Sequence, residues 1–413
     1  MTGLPTSARP FVTAALFAIG CSILPTATRA DWLSYRGPGS TGVSVEKGIA
    51  AKFPLDGPRV LWKANVGIGT SSITVSGDRA YTMGNTNNRD HVFCFDAKTG
   101  AEIWKHEYPL DLDKRMFEGG TAATPTVDGG QVYSVSHQGD LFCLNAATGK
   151  KVWYKHYQQD FGGRRPQWGF AGSPTIEGNL LILDVGGKGS STVALDKMTG
   201  NVMWKSGDDE AGYASPIVAN LGGKRTVVMF KASALVGLDV KDGAELWRTP
   251  WKTSYEVNAA TPLVVGDKIF ISSGYGSGCA LIEIVAGKAV EKWRNKSLKA
   301  HINSPVFSKG FVYGIDDQAS NRAPLVCLDF ATGQVKWSQR GIGGALVAAD
   351  GKLIILSESG ELILAEDSAA GFRPLARAQV LPKRCWVQPT FANGRIFCRN
   401  NDGQLVCLDA GAK

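Results

Sequence analysis

One phrase recurs along the whole chain of 413 residues. It joins a short apolar segment to a glycine-containing turn and then to a tryptophan, as in LFCLNAATGKKVW, which ends at Trp153. Aligning the copies gives a ladder of tryptophans 42 to 51 residues apart: Trp62, Trp104, Trp153, Trp204, Trp247, Trp293 and Trp337. A unit this short cannot bury its own apolar surface, so the copies must stack against one another.

Each period contains four strand-like segments separated by turn signals. Between residues 214 and 250 they are ASPIVAN, RTVVMFK, ALVGLDV and AELWRTPW. Their β-branched and aromatic residues, bounded by Gly, Asn and Asp, are typical of short strands and hairpins. An eighth copy, AAGFRPLAR, has Leu375 in the tryptophan place. The pattern therefore predicts an all-β fold, an eight-bladed β-propeller of four-stranded antiparallel blades.

The conserved spacing inside the phrase has a mechanical explanation. In LDxxTG the aspartate can accept hydrogen bonds from the backbone N–H groups of the turn, and the glycine supplies the positive φ that closes the hairpin. The tryptophan then lies against the neighbouring blade and buries a wide apolar surface. We therefore assign the seven ladder tryptophans to blade docking and not to catalysis.

The two ends of the chain complement each other. The last copy stops at LVCLDAGAK, after its third strand, whereas PRVLWKANV (58–66) has no three strands before it. The sequence predicts that this N-terminal strand completes the last blade. Such closure removes the free sheet edges of an open array.

The first thirty residues have a different character from the rest. Arg9 precedes the apolar run from Phe11 to Leu24, and small residues end the segment at Ala30. This arrangement predicts a secretory signal peptide over 1–30, a lead-in segment over 31–57 and the propeller over 58–413. An alternative leader, cleaved before a lipid-modified Cys21 in AIGC, stays open. Either leader predicts a periplasmic, cell-envelope or secreted protein, and no later apolar run is long enough to span a membrane.

Charge and cysteine placement exclude several classes of function. The formal charge of +8 falls to +6 when Arg9 and Arg29 leave with the leader, and the remaining basic residues are scattered, which argues against nucleic-acid binding. Four cysteines occupy one repeat position, where they are expected to be small buried residues and not disulfide partners: Cys94, Cys143, Cys327 and Cys407. No CxxC or zinc-type histidine spacing is present. We expect a monomer.

The motif LDxxTGxxxW, carried by LDKMTGNVMW, LDVKDGAELW and LDFATGQVKW, resembles the tryptophan-docking motif of pyrroloquinoline-quinone (PQQ) repeat propellers. The resemblance covers nearly all of the chain from Pro58, and DWLSYRGPGSTGVS (31–44) resembles the lead-in of exported bacterial members. This quinoprotein alcohol dehydrogenase-like superfamily includes dehydrogenases of alcohols and sugars. It also includes the non-enzymatic propeller lipoprotein of the outer-membrane β-barrel assembly machinery. The resemblance implies the fold and leaves catalysis open.

Long connections on one face of the disc carry the candidate site. The residues just before the inner strands are expected to gather at one mouth of the channel: Glu118, Trp168, Tyr213, Glu256, Asn258, His301, Asn303, Trp386 and Gln388. A PQQ cofactor needs an aromatic face, a hard cation and a basic group. Trp168 or Trp386 could supply the first, and Glu256 with Asn258, predicted to share one strand face, could hold Ca²⁺. Arg165 or Arg384 could supply the basic group, while Tyr213, His301, Asn303 and Gln388 are candidate ligand contacts.

The sequence as a whole favours a non-catalytic function. The adjacent cysteine pair of many quinoprotein alcohol dehydrogenases is missing. We expect an exported binding or scaffold propeller, similar to the assembly-machinery lipoprotein, that holds a protein, peptide or small ligand at the channel mouth. Two alternatives remain. One is a PQQ- and Ca²⁺-dependent dehydrogenase of alcohols or sugars, and the other is a carbohydrate-binding propeller in which Trp168, Tyr213 and Trp386 stack on sugar rings.

Overall fold

A computed structural model describes residues 1–4, 30–113, 115, 117–316 and 322–411. The predicted leader with Cys21 and its cleavage point lies mostly outside these residues. In the described ranges no helix is long and apolar enough to cross a membrane.

The described strands form eight sheets, each with an inner, a second, a third and an outer strand. Blades 1 to 4 consist of Thr74–Ser76, Arg79–Thr86, Arg89–Asp96 and Glu102–Pro109; Thr126–Asp128, Gln131–Val135, Asp140–Asn145 and Lys151–His156; Thr175–Glu177, Leu180–Gly187, Ser190–Asp196 and Val202–Ser206; Ile217–Leu221, Lys224–Phe230, Ala234–Asp239 and Glu245–Pro250. Blades 5 to 8 consist of Leu263–Val265, Lys268–Ser273, Gly278–Val285 and Lys288–Asn295; Val306–Ser308, Phe311–Ile315, Leu325–Asp329 and Val335–Gln339; Ala345–Ala349, Lys352–Leu356, Glu361–Glu366 and Pro374–Gln379; Thr390–Ala392, Arg395–Arg399, Gln404–Asp409 and Val60–Asn65. The predicted eight-bladed, all-β propeller is confirmed.

Helical structure is minor among these residues. It comprises one α-helix, Tyr157–Phe161, and two 3₁₀ turns, Pro38–Ser40 and Ser254–Glu256. A fifth strand, Val43–Ser44, runs parallel to the inner strand of blade 7.

The chain ends meet in blade 8, as the sequence predicts. Val60–Asn65 pairs antiparallel with Gln404–Asp409, and Trp62 lies opposite Cys407. On the other side of the closure, the Thr390 hydroxyl donates to the Ile73 carbonyl of blade 1 at 2.8 Å. The ring is therefore closed by a shared sheet.

The tryptophans dock on the next blade through one repeated contact. Six indole N–H groups donate to a backbone carbonyl there, over 2.9 to 3.2 Å: Trp62 to Ala97, Trp104 to Ala146, Trp153 to Lys197, Trp204 to Val240, Trp293 to Phe330 and Trp337 to Ser368. The ring also lies on the turn glycine, because a Cβ on Gly100 would stand 2.6 Å from the Trp62 ring. Gly100 has φ of +74°, so glycine is required there for conformation and for space.

Two copies depart from the pattern. The Trp247 indole N–H has no partner among the described residues, because blade 5 replaces the LDxxTG turn by the two-residue turn Ala286–Gly287. In blade 7 a longer turn between the third and outer strands places Ala376, and not Leu375, opposite Leu364 in the tryptophan place. Trp153, Trp293 and Trp337 are partly and not fully buried.

The cysteines are structural. Throughout the described chain all seven are buried free thiols. Cys94, Cys143, Cys327 and Cys407 each lie opposite the tryptophan of their own blade. A small residue fits there because the neighbouring strand already carries a large indole ring.

The lead-in crosses the channel at the face that carries the inner-to-second and third-to-outer hairpins, here called the turn face. It contacts five blades. At its start, Trp32 pairs with Val75 of blade 1, and the Leu33 carbonyl accepts from Val127 of blade 2. Further along, Arg36 donates to Ser304 and Pro305 before blade 6, Val43–Ser44 pairs with Ala348–Ala349 of blade 7, and Glu46 accepts from Gly394 of blade 8. The segment thus blocks this end of the channel.

Candidate functional site at the channel mouth

The opposite face, here called the mouth face, holds a pocket of about 280 Å³ at the channel entrance. Seven of the connections that lead into inner strands line it, together with Tyr35 of the lead-in. Because the lead-in lies across the turn face, Tyr35 forms the floor. We call this cavity the mouth pocket.

A chain of side-chain hydrogen bonds fixes the rim of the channel from blade to blade. The backbone N–H of Ser72 donates to the Thr124 hydroxyl, Thr124 N–H to Ser173 and Ser173 N–H to Ser215, each over 2.9 Å. These hydrogen bonds were not predicted from the sequence. Their signal is a Ser/Thr-Pro pair before successive inner strands, as at Thr261-Pro262, where the N–H of Thr261 donates to Ser304 in the same way.

The structure brings seven of the nine predicted mouth residues to the lining of this pocket: Glu118, Trp168, Tyr213, His301, Asn303, Trp386 and Gln388. Phe117, Tyr275 and Tyr35 also line it. Sequence reasoning did not single these three out, because they lie in loop segments whose direction depends on the closed ring.

One wall of the pocket is built around Arg384. Its guanidinium lies 4.8 Å above the Trp386 ring and 5.5 Å from the Phe117 ring. It donates to Glu118 at 2.8 Å, and the Trp386 indole N–H donates to Glu358 at 3.1 Å. Because Glu358 also lies 3.8 Å from the guanidinium, the cation is held by two carboxylates and two aromatic rings, and this wall is preorganised.

The opposite wall is a continuous aromatic series. Ring centroids are 6.1 Å apart for Trp168 and Tyr213, 6.0 Å for Trp168 and Tyr255, 5.4 Å for Tyr255 and Tyr275, and 4.7 Å for Tyr275 and His301. Most of these pairs meet edge to face, the arrangement favoured by the aromatic quadrupole.

Neutral polar groups complete the lining. Burial lowers the pKa of His301 to about 4, so the imidazole is neutral at neutral pH. Its Nδ1 and the side-chain nitrogen of Gln388 are buried and have no hydrogen-bond partner among the described residues. Asn303 donates to the Gly344 carbonyl at 3.0 Å.

Glu256 and Asn258 do not form the predicted cation pair. Asn258 is fully buried, its amide nitrogen donates to the Lys231 carbonyl at 2.8 Å, and its oxygen accepts from Thr253 and Ser273, each at 2.7 Å. Glu256 is exposed, closes a 3₁₀ turn with φ of +58° and lines a separate depression beside Arg248. The prediction of a shared strand face is wrong because neither residue lies on a strand.

The remaining basic candidate is engaged elsewhere. Arg165 pairs with Asp113 at 2.6 Å and is absent from the lining of the mouth pocket. In the described part of the chain no group of three or more His, Cys, Asp or Glu residues is arranged to hold a metal ion.

Solved structures share this architecture at low sequence identity. BamB from Moraxella catarrhalis superposes with a TM-score of 0.64 at 16% identity, covering 85% of this chain and 99% of its own. Quinohemoprotein alcohol dehydrogenase from Comamonas testosteroni gives 0.69 at 15%, covering 94% and 82%. The computationally designed Ika8 protein gives 0.60 at 12%, covering 88% and 100%. Identities this low show the fold alone.

Sequence comparison identifies the family. No curated protein is significantly similar to the chain. A family model described as outer membrane protein assembly factor BamB matches residues 88–339, which is more than half of the chain. This chain therefore belongs to that family of PQQ-repeat β-propellers.

Proposed function

We propose that this chain is an exported, cell-envelope binding propeller whose mouth face holds a polypeptide or small ligand. The observation that carries the proposal is a set of three aromatic residues around the mouth pocket. Phe117, Tyr255 and Tyr275 have exposed fractions of 65%, 61% and 39%. Large exposed aromatic side chains grouped on one face are typical of interaction surfaces.

The backbone of these residues supports the same role. Their φ angles are +52°, +58° and +53°, and they are the only aromatic residues of the described chain in the left-handed region. A bulky residue there costs on the order of 1–3 kcal/mol, and such strain concentrates at functional sites. The family description, an outer membrane protein assembly factor, supports a polypeptide partner.

The test uses a urea-unfolded outer-membrane β-barrel polypeptide, fluorescently labelled and diluted into a solution of the protein. We expect saturable binding by anisotropy, weakened about tenfold or more in the triple variant Phe117→Ala/Tyr255→Ala/Tyr275→Ala. The control is Met198→Ala/Met203→Ala on the turn side of blade 3, which removes two exposed apolar residues far from the mouth. Equal weakening in both variants would contradict a mouth-face site.

A quinoprotein dehydrogenase is the second candidate, because Trp168 and Trp386 could stack on a planar cofactor in the mouth pocket. The residues do not fit the predicted PQQ–Ca²⁺ site, because the Asn258 side chain is already hydrogen-bonded to the Lys231 carbonyl and Arg384 is already paired with Glu118. We therefore expect no dye reduction with alcohols or sugars after addition of PQQ and Ca²⁺. Activity that disappears in Trp386→Ala would establish the enzyme instead.

A further inference from the structure

The mouth pocket combines flat aromatic walls with uncharged hydrogen-bonding groups. Trp168 and Tyr213 come from the connections before blades 3 and 4, His301 from the connection before blade 6, and Trp386 and Gln388 from the connection before blade 8. A ligand that fills it must have apolar faces and polar edges. Its volume, about 280 Å³, is near the lower end of the ~300–1,000 Å³ typical of small-molecule sites.

The charge of the pocket selects against ions. Among the described residues that line it, Glu118 is the one carboxylate, and no lysine or arginine is present. Glu118 already accepts from Arg384 at 2.8 Å and from Asn401 at 3.1 Å, and Arg384 is shared with Glu358 at 3.8 Å, so this cation is already paired. His301 is neutral at neutral pH. The pocket therefore offers an anionic ligand no unpaired cation, whereas a neutral ligand can bind without breaking an ion pair of the protein.

Two buried polar groups of the lining have no hydrogen-bond partner among the described residues. His301 is 7% exposed with an unpaired Nδ1, and Gln388 is 4% exposed with an unpaired amide nitrogen. A buried unsatisfied donor or acceptor costs roughly 1–3 kcal/mol. Hydroxyl groups both donate and accept, so a ligand with several of them can satisfy the amide and either tautomer of the imidazole. An apolar side chain would leave both groups unpaired.

We propose that the mouth pocket binds a neutral saccharide of one or two rings, stacked on Trp168, with hydroxyl groups on Gln388 and His301. The C–H groups on a sugar face carry partial positive charge and match the negative face of an indole ring. This assignment rests on the proposed function of the mouth face as the binding surface. It adds the chemical class of the ligand that fills the cavity beneath the exposed aromatic residues.

The experiment is calorimetric titration of the full-length protein with glucose, N-acetylglucosamine, cellobiose and, as the matched anion, glucuronate. We expect at least one neutral sugar to bind. Trp168→Ala and Gln388→Leu should each weaken binding about tenfold, which corresponds to a lost stacking or hydrogen-bonding contact. The control, Tyr154→Ala, removes a 38%-exposed aromatic residue from the outer strand of blade 2 and should leave binding unchanged. Urea unfolding checks that each variant folds. If Gln388→Leu does not fold, Trp168→Ala still tests the proposal, because Trp168 is partly exposed.

The outcomes separate the two proposals. Sugar binding lost in Trp168→Ala and kept in Tyr154→Ala supports the saccharide pocket. Glucuronate binding as tightly as glucose overturns the argument from charge. No sugar binding at about 10 mM, a weak limit, together with mouth-dependent binding of the unfolded polypeptide, overturns the saccharide assignment and leaves the proposed function standing. Failure of both ligand classes overturns both.

Discussion

His137 shows how burial sets the chemistry of a single residue in this ring. It lies in the second-to-third hairpin of blade 2, is 1% exposed, and has no partner for either ring nitrogen among the described residues. Its backbone carbonyl accepts from Phe170 at 3.0 Å. Desolvation is the main reason that its pKa falls to about 4, Arg165 lowers it further, and Asp113 and Asp140 oppose the shift. The folded protein therefore keeps this imidazole neutral.

The depressed pKa predicts acid sensitivity. Below pH 6.5 the unfolded chain binds a proton at His137 and the folded chain does not until about pH 4, so acid favours unfolding in this window. The full loss in the free energy of unfolding amounts to about 3 kcal/mol. We expect the free energy of unfolding of the wild type, relative to His137→Gln, to fall by this amount from pH 7.5 to 4. Urea titrations at several pH values measure it, and parallel curves for the two proteins would contradict it.

Only some residues of the mouth pocket could be predicted from the sequence. Seven mouth residues could be predicted because each stands just before an inner strand, a position that the repeat defines. Asn258 has the same kind of position, yet the Lys231 and Trp251 carbonyls capture its amide. Such contacts connect segments of the chain that no local pattern relates. The rim residues Phe117 and Tyr255 were missed for the same reason.

At the scale of elements, the hairpin between third and outer strands is the most predictable part of the fold. The Asp96 carboxylate accepts from the backbone N–H groups of Lys98 and Thr99 at 2.9 and 2.8 Å, and these bonds lower its pKa. The sequence predicts this turn because all of its interactions are local. The departures in blades 5 and 7 were not predicted, because the shorter turn of blade 5 and the longer turn of blade 7 appear only in the strand pairing.

Two docking tryptophans form a matched pair for testing the indole hydrogen bond. Trp204 is 8% exposed and its indole N–H donates to Val240 at 3.0 Å, whereas that of Trp247, 6% exposed, has no partner in the described part of the chain. Replacement by alanine should cost about 3–5 kcal/mol at either site. Replacement by phenylalanine should cost about 1 kcal/mol more at Trp204, because only there is a hydrogen bond lost. Urea unfolding measures both, and equal costs for the two phenylalanine variants would show that the bond contributes nothing.

At the scale of the whole molecule, the ring is held together in two ways. The shared sheet of blade 8 joins the ends, and the sequence predicted it because the first strand and the last three each lack a complement. The lead-in adds a second tie across the turn face, from Trp32 at blade 1 to Glu46 at blade 8. Its path could not be predicted, since the segment has no repeat character and its contacts exist only after the ring has closed.

Arg36 lies at the centre of this second tie, so replacing it measures how much the lead-in contributes to the stability of the ring. The side chain is fully buried, and its guanidinium donates to the carbonyls of Ser304 and Pro305 across the channel, as well as to Thr41 of the lead-in. Burial lowers its pKa to about 10, so it stays charged at neutral pH. Arg36→Met removes a cation that is solvated by these carbonyls and by that of Ser40, and it leaves the carbonyls unpaired, at an expected cost of about 2–5 kcal/mol.

The matched control is Arg59→Met, whose side chain is 62% exposed and pairs with Asp409 at 3.7 Å, and it should change stability by less than about 0.5 kcal/mol. Urea unfolding gives both values, and hydrogen exchange locates the effect. The Ala348 N–H, which donates to the Gly42 carbonyl at 2.9 Å, should exchange faster in Arg36→Met and not in Arg59→Met. Unchanged exchange at Ala348 would mean that the shared sheet of blade 8 alone holds the ring and that the lead-in merely rests on it.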